Sequence, residues 1–280
     1  MSELANTNCG AFGARLEAQP PAVVYHYTSP KGLLGIIENR EIWASDCAYL
    51  NDSLELAYAD RILCAIIVDL KNVDANGPGV VAGLNAIAAH SASGSFVRPL
   101  SFSVSEEGDL LSQWRAYCPR SGGYAIGFAN DFWRGMTAPF SFTLRQCVYD
   151  QRRQRSIIDE ALRLSLTEDR GEHAVESFEL YYRFIRPILK HPSFSEEKEW
   201  RLLSVDDHSL FDGVRFRAAN GFVIPYYPMR FSNPHLPVVE VVVGPSSKPH
   251  LAAASVEHLL RSNKLEHVRV RVSDSPLRTQ

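Results

Sequence analysis

What this chain lacks already narrows its chemistry. No run approaches 18 uninterrupted apolar residues, so the sequence predicts no membrane-spanning helix. The opening Met-Ser-Glu-Leu-Ala has no basic segment ahead of an apolar one, so no secretory leader is predicted. Cysteine is sparse: Cys9, Cys47, Cys64, Cys118 and Cys147 are scattered, with no Cys-x-x-Cys pair. That excludes a disulfide scaffold and argues against zinc, so the expectation is free thiols in a reducing cytoplasm and no metal site. Net charge is small, -3 from 29 basic and 32 acidic residues, which excludes bulk electrostatic attachment to nucleic acid. A Gly-x-Gly-x-x-Gly loop, a P-loop and a Gly-x-Ser-x-Gly elbow are all missing, which disfavours a Rossmann or P-loop nucleotide site and a serine hydrolase.

What is present is an ordinary globular composition, 45% hydrophobic and 22% charged over 280 residues. Residues 1–20 are small and polar and read as a flexible arm. Val23 to Tyr27 is a β-rich run, and Thr28-Ser29-Pro30 then supplies helix-start chemistry. Further strands are expected at 41–44, 100–104, 124–128, 142–149, 199–203, 238–243 and 268–272. Helices are expected over 54–71 behind an Asn51-Asp52-Ser53 cap, and over 80–92, 110–117, 152–189 and 249–261. Strands and helices mix without regular βαβ alternation. The expectation is one α+β domain over 21–280, with a helical insertion or lid around 152–189.

Polar and aromatic residues concentrate at element ends in five stretches. These are His26-Tyr27-Thr28-Ser29; Ser45-Asp46 with Asn51-Asp52-Ser53-Leu54-Glu55; Ser101-Phe102-Ser103 with Gln113-Trp114-Arg115-Ala116-Tyr117 and Gly122-Gly123-Tyr124; Lys190-His191-Pro192 with Glu196 to Arg201; and Ser273 to Arg278. With these five motifs in order, about residues 23 to 278 resemble a bacterial family known only as domain of unknown function 2971. The family carries no stated activity.

The same residues also resemble the ADP-ribosyltransferase fold, whose members split NAD in a cleft between two small, largely antiparallel sheets. His26 at the end of the first strand looks like the histidine that bonds a ribose of NAD. Ser101-Phe102-Ser103 looks like the fold's Ser-x-Ser, and Glu197-Lys198-Glu199 like its Glu-x-Glu, whose second glutamate is catalytic. The resemblance thus implies NAD as substrate, an unknown protein or nucleic-acid acceptor, and Glu199 and His26 as the catalytic pair. A carboxylate near the ribose would stabilise positive charge as the nicotinamide bond breaks. Trp114, Tyr117 or Tyr124 could stack the nicotinamide. Neutral His26 could donate to a ribose hydroxyl, with Tyr27, Thr28, Ser101 and Ser103 beside it. Arg115 or Arg201 could meet the pyrophosphate.

Each residue also has a structural reading. Glu199 can pair with Arg201 or Lys198 on a solvated strand edge, since alternation puts Glu197, Glu199 and Arg201 on one face. Trp114 and Tyr117 suit a core stripe, Asn51-Asp52 a helix cap, and Gly122-Gly123 a turn. Arg145, Arg152, Arg153 and Arg155 read as a solvated basic face. The enzyme reading would suit a toxin or phage-defence effector, and two other functions remain open: a non-catalytic sensor or interaction module of a bacterial defence system, and a metal-dependent nuclease using Asp52, Glu55 and Glu199. Acceptor and oligomeric state are not legible.

Overall fold

The computed structural model describes residues 12–49, 54–72, 77–119, 121–137, 142–168, 173–204, 212–219, 221–231 and 236–275. The expected Asn51-Asp52-Ser53 cap and the closing motif beyond Ser275 lie outside these residues. The first described segment is not a loose arm: residues 12–15 make a helical turn, with Phe12 and Leu16 buried. Phe12 meets the Tyr181 ring edge-on, and the Gly13 carbonyl accepts a 2.8 Å bond from Arg145. Arg145 is therefore a buried anchor rather than part of a solvated basic face. Apolar burial of two side chains offsets the entropy of ordering this segment.

Strand β1 (Val23–Thr28) leads into α1 (Pro30–Asn39). The helix starts where predicted because the Ser29 hydroxyl accepts from the Gly32 N–H at 3.2 Å and Pro30 presets the first turn. It ends at Arg40, which adopts the left-handed conformation. β2 (Glu41–Asp46), α2 (Leu54–Lys71), α3 (Pro78–Ser93), β3 (Leu100–Ser105) and α4 (Leu111–Tyr117) follow. Then come β4 (Tyr124–Ala129), β5 (Met136–Thr137) and β6 (Phe142–Gln146). The helical region divides into α5 (Gln151–Glu168) and α6 (Ala174–Ile185). β7 (Glu199–Ser204), β8 (Arg215–Ala219), β9 (Phe222–Phe231), β10 (Val238–Val243), α7 (Pro249–Ser262) and β11 (Arg269–Val272) complete the chain.

The strands form one continuous mixed sheet, ordered β11-β10-β4-β1-β3-β2-β9-β5, with β7 and β6 added beside β3 and β8 beside β9. Among the described strands only β10 and β11 pair in parallel. The branch is at β3. One edge pairs with β7 along its whole length, Ser101↔Leu203 to Ser105↔Glu199. The other edge meets β1 only at Ser105 and β2 only at Ser101 and Leu100. Between those contacts β1 and β2 diverge, so the sheet opens into two wings that share β3. The expected small antiparallel sheets are thus two wings of one sheet, and their cleft is the open edge of β3.

Two large hydrophobic cores support this frame, with a smaller cluster of Tyr27, Trp114, Ala125 and Val242 beside them. One lies between the sheet and α1 and α7, around Ile37, Phe128, Trp200 and Val241. The other is helical and draws on α2, α3, α5 and α6, around Leu63, Leu84, Ile158 and Phe178. The region 152–189 is therefore half of a packed helical layer, not a free lid. Asp60 on α2 locks it by a two-pronged bond to Arg186 at 2.9 and 2.7 Å and by a bond from the Tyr182 hydroxyl at 3.0 Å.

Candidate functional site

The open edge of β3 is lined by polar side chains. Alternation turns Ser101, Ser103 and Ser105 to one face of the strand. Together with residues of β1, β2, β7, β8 and α4 they enclose a cavity of about 190 Å³. His26, Tyr27, Ser101, Ser103, Tyr117, Glu199 and Arg201, seven of the residues singled out in the sequence, all line it. So do Glu55, Glu197, Trp43, Tyr49 and Arg217.

His26 fills the gap where β1 leaves β3. Its ring stacks on Phe102 with centroids 4.3 Å apart, and Nδ1 lies 2.9 Å from the Ser103 carbonyl. A carbonyl only accepts, so Nδ1 carries the proton. Burial lowers the His26 pKa to about 4, so the ring is neutral and Nε2 is its acceptor. This corrects the expected polarity: the donor side of His26 is committed to the backbone, and a ligand hydroxyl would donate to it.

Glu199 sits at the start of β7, but its surroundings are not a solvated strand edge. One oxygen accepts from Arg201 Nε at 2.8 Å; the other accepts from Lys190 Nζ at 2.6 Å and from Arg201 at 2.9 Å. Glu197 accepts from Lys190 at 2.6 Å, and Glu55 pairs with Lys190 at 3.1 Å and with Arg201. Three buried carboxylates thus share two buried cations, leaving one negative charge when all are ionised. Burial alone would raise the Glu199 pKa, but Arg201 and Lys190 reverse that and bring it to about 2. Desolvation prevails at Glu197, whose pKa is raised. At Lys190 burial acts downward, yet Glu199 and Glu55 hold the ammonium well above its ordinary value.

The ring at this end of the cavity is Tyr117, about one third exposed. Trp114, one turn earlier on α4, is 2% exposed and does not line the cavity. Its indole N–H donates to Asp109 at 2.7 Å, and its ring lies against Gly244. It is a core residue, as the stripe reading had it. Tyr124 pairs with Val243 at the far side of β4, Thr28 ends β1 beside Gly32, and Arg115 is exposed on α4. None of these three lines the cavity. Arg201 lines it with its guanidinium committed to Glu55, Glu199 and the Pro187 carbonyl. Neither arginine expected at a pyrophosphate is therefore available for one here.

Sequence reasoning missed Lys190, Arg217, Trp43 and Tyr49 as participants. Lys190 stood in a singled-out motif with no role, because its partners lie on three different elements. Arg217 and Trp43 come from the wing built by β2, β8 and β9. Pro225 and Pro228 within β9 break the usual strand signal.

For a divalent metal, Glu55 and Glu199 are already bridged by Lys190 and Arg201, and Asp52 lies outside the described residues. Among the described residues no group of three His, Cys, Asp or Glu is placed to share an ion. Among the same residues no helix is long and apolar enough to cross a membrane.

Residues 113–202 match the family model described as "Protein of unknown function (DUF2971)". The matched stretch runs from α4 through β7 and carries Tyr117, Glu197, Glu199 and Arg201. No curated protein and no solved structure matches the chain.

Proposed function

We propose that this protein is an ADP-ribosyltransferase-like enzyme that binds NAD at the open edge of β3 and cleaves the nicotinamide–ribose bond. One observation carries the reading: His26 on β1, Ser101 and Ser103 on β3, and Glu199 on β7 line a single cavity, with the Tyr117 ring beside them. A cavity of about 190 Å³ suits one ring or sugar rather than a whole dinucleotide. The remainder of NAD would extend through the open side.

The chemistry follows from charge. Breaking the glycosidic bond builds positive charge on the ribose. With all three carboxylates ionised, the Glu55–Glu197–Glu199 cluster carries net negative charge beside the cavity, fixed in place by Lys190 and Arg201 before the substrate arrives. Glu199, held ionised, faces the developing cation. His26 Nε2 accepts a ribose hydroxyl and so orients the sugar. Tyr117 offers a flat face to the leaving nicotinamide. The acceptor of ADP-ribose is a protein, a nucleic acid or water.

The test is incubation of pure protein with NAD and measurement of free nicotinamide. Saturable release is expected, and Glu199→Gln should lower the rate at least 100-fold. This exceeds about 2.7 kcal/mol of transition-state stabilisation at 1.36 kcal/mol per tenfold. His26→Ala should also slow release while keeping the fold. No release by the wild type, or unchanged release by both variants, would overturn the proposal. The saturation of both Glu199 oxygens favours a second reading, a binding module that holds a nucleotide-like ligand without turnover. Binding of NAD with no nicotinamide release would select it.

A further inference from the structure

We infer that Arg217, with Ser45 and Ser101, forms a subsite for a phosphate group at the β2–β8 side of the cavity. Arg217 projects from β8 and lines the cavity. One terminal nitrogen donates to the Ser45 hydroxyl at 3.2 Å, while its buried Nε has no hydrogen-bond partner. Ser101 is 2% exposed, and its buried hydroxyl is likewise without a partner. Buried donors are nearly always satisfied, and each one left unmade costs of the order of 1–3 kcal/mol. Two such donors on one cavity wall, contributed by different strands, mark where an acceptor is missing.

Charge identifies the acceptor. Every other guanidinium or ammonium at the site has a carboxylate: Lys190 and Arg201 share three. No ion pair joins Arg217 to a carboxylate among the described residues, and burial lowers the pKa of its guanidinium. A partly buried cation without a counter-ion, beside two hydroxyls, fits an anion with several acceptor oxygens spread in three dimensions. Phosphate has that shape and charge, and an arginine fork suits it. The anion site stands on these observations alone. That its natural occupant is a phosphoryl group of a nucleotide substrate rests on the NAD proposal.

The experiment is titration of the full chain with inorganic phosphate at constant ionic strength, followed by calorimetry and by thermal melting. Wild type should bind saturably and melt higher with phosphate. Arg217→Gln should bind at least tenfold more weakly, lose the phosphate-dependent rise in melting temperature, and melt no lower than wild type without phosphate. Arg217→Lys, which keeps the charge without the fork, should fall between them, and Ser101→Ala should weaken binding several-fold. No saturable binding by the wild type overturns the subsite, as does Arg217→Gln binding as tightly as wild type. Should the glutamine variant fail to fold, Arg217→Lys binding phosphate as tightly as wild type, with Ser101→Ala unchanged, overturns it as well. Phosphate binding through Arg217 without nicotinamide release keeps the subsite and rejects only the NAD reading.

Discussion

Glu199 is held by three bonds from two buried cations, Lys190 and Arg201. Its pKa falls from the ordinary carboxylate value to about 2, so its ion pairs contribute stability at neutral pH. Because the folded value lies below the unfolded one, that contribution is present above about pH 4.5 and is lost as pH falls towards 2. Comparing denaturant unfolding of wild type and Glu199→Gln from pH 7 to pH 3 should therefore show the wild-type advantage shrinking with acid. A gap independent of pH would contradict the assignment. Lys190→Met should be harsher, since it leaves carboxylates buried without their shared cation. A loss of about 3–5 kcal/mol is expected from the unfolding midpoint. His26, Ser101, Ser103, Tyr117, Glu199 and Arg201 were legible because each stands in a short motif dense in polar and aromatic residues. Lys190 and Arg217 were not: their roles come from contacts that link Lys190 to Glu55 and Arg217 to Ser45 across long stretches of sequence.

At the scale of elements, the cleft exists because β3 serves β7 along one edge and shares the other between β1 and β2. Apart from β5, β8 and β9, the strands were readable from β-branched and aromatic runs, and α1 from its Ser29-Pro30 start. The branching was not, since pairing between strands leaves no local signature. The β8–β9 hairpin was hidden by two prolines. Close packing behind the site can be tested at Gly244, where an added Cβ would lie 2.8 Å from two Trp114 ring carbons. Gly244→Ala should cost about 1–3 kcal/mol, read as a lower melting temperature, by pushing Trp114 and α4 with its Tyr117 outward. A variant as stable as wild type would mean that α4 is free to shift.

At the scale of the whole molecule, two cores hold one sheet and one helical layer, and the charge cluster lies where they meet. Lys190 follows the helical layer, Glu55 opens α2, and Glu199 and Arg201 belong to the sheet. The cluster thus ties the position of the helices to the geometry of the cleft. The small net charge fits a protein that recognises its ligand through a few placed groups rather than through a charged surface. Under the proposed function this cleft takes a dinucleotide with its ribose beside Glu199 and a phosphate beside Arg217. The most direct measurement is a crystal structure of the Glu199→Gln variant grown with NAD. The expected density shows the nicotinamide ribose against His26 and residue 199, the Tyr117 ring near the nicotinamide, and a phosphate oxygen bonded to Arg217. NAD bound elsewhere, or a cavity left empty at saturating NAD, would contradict it.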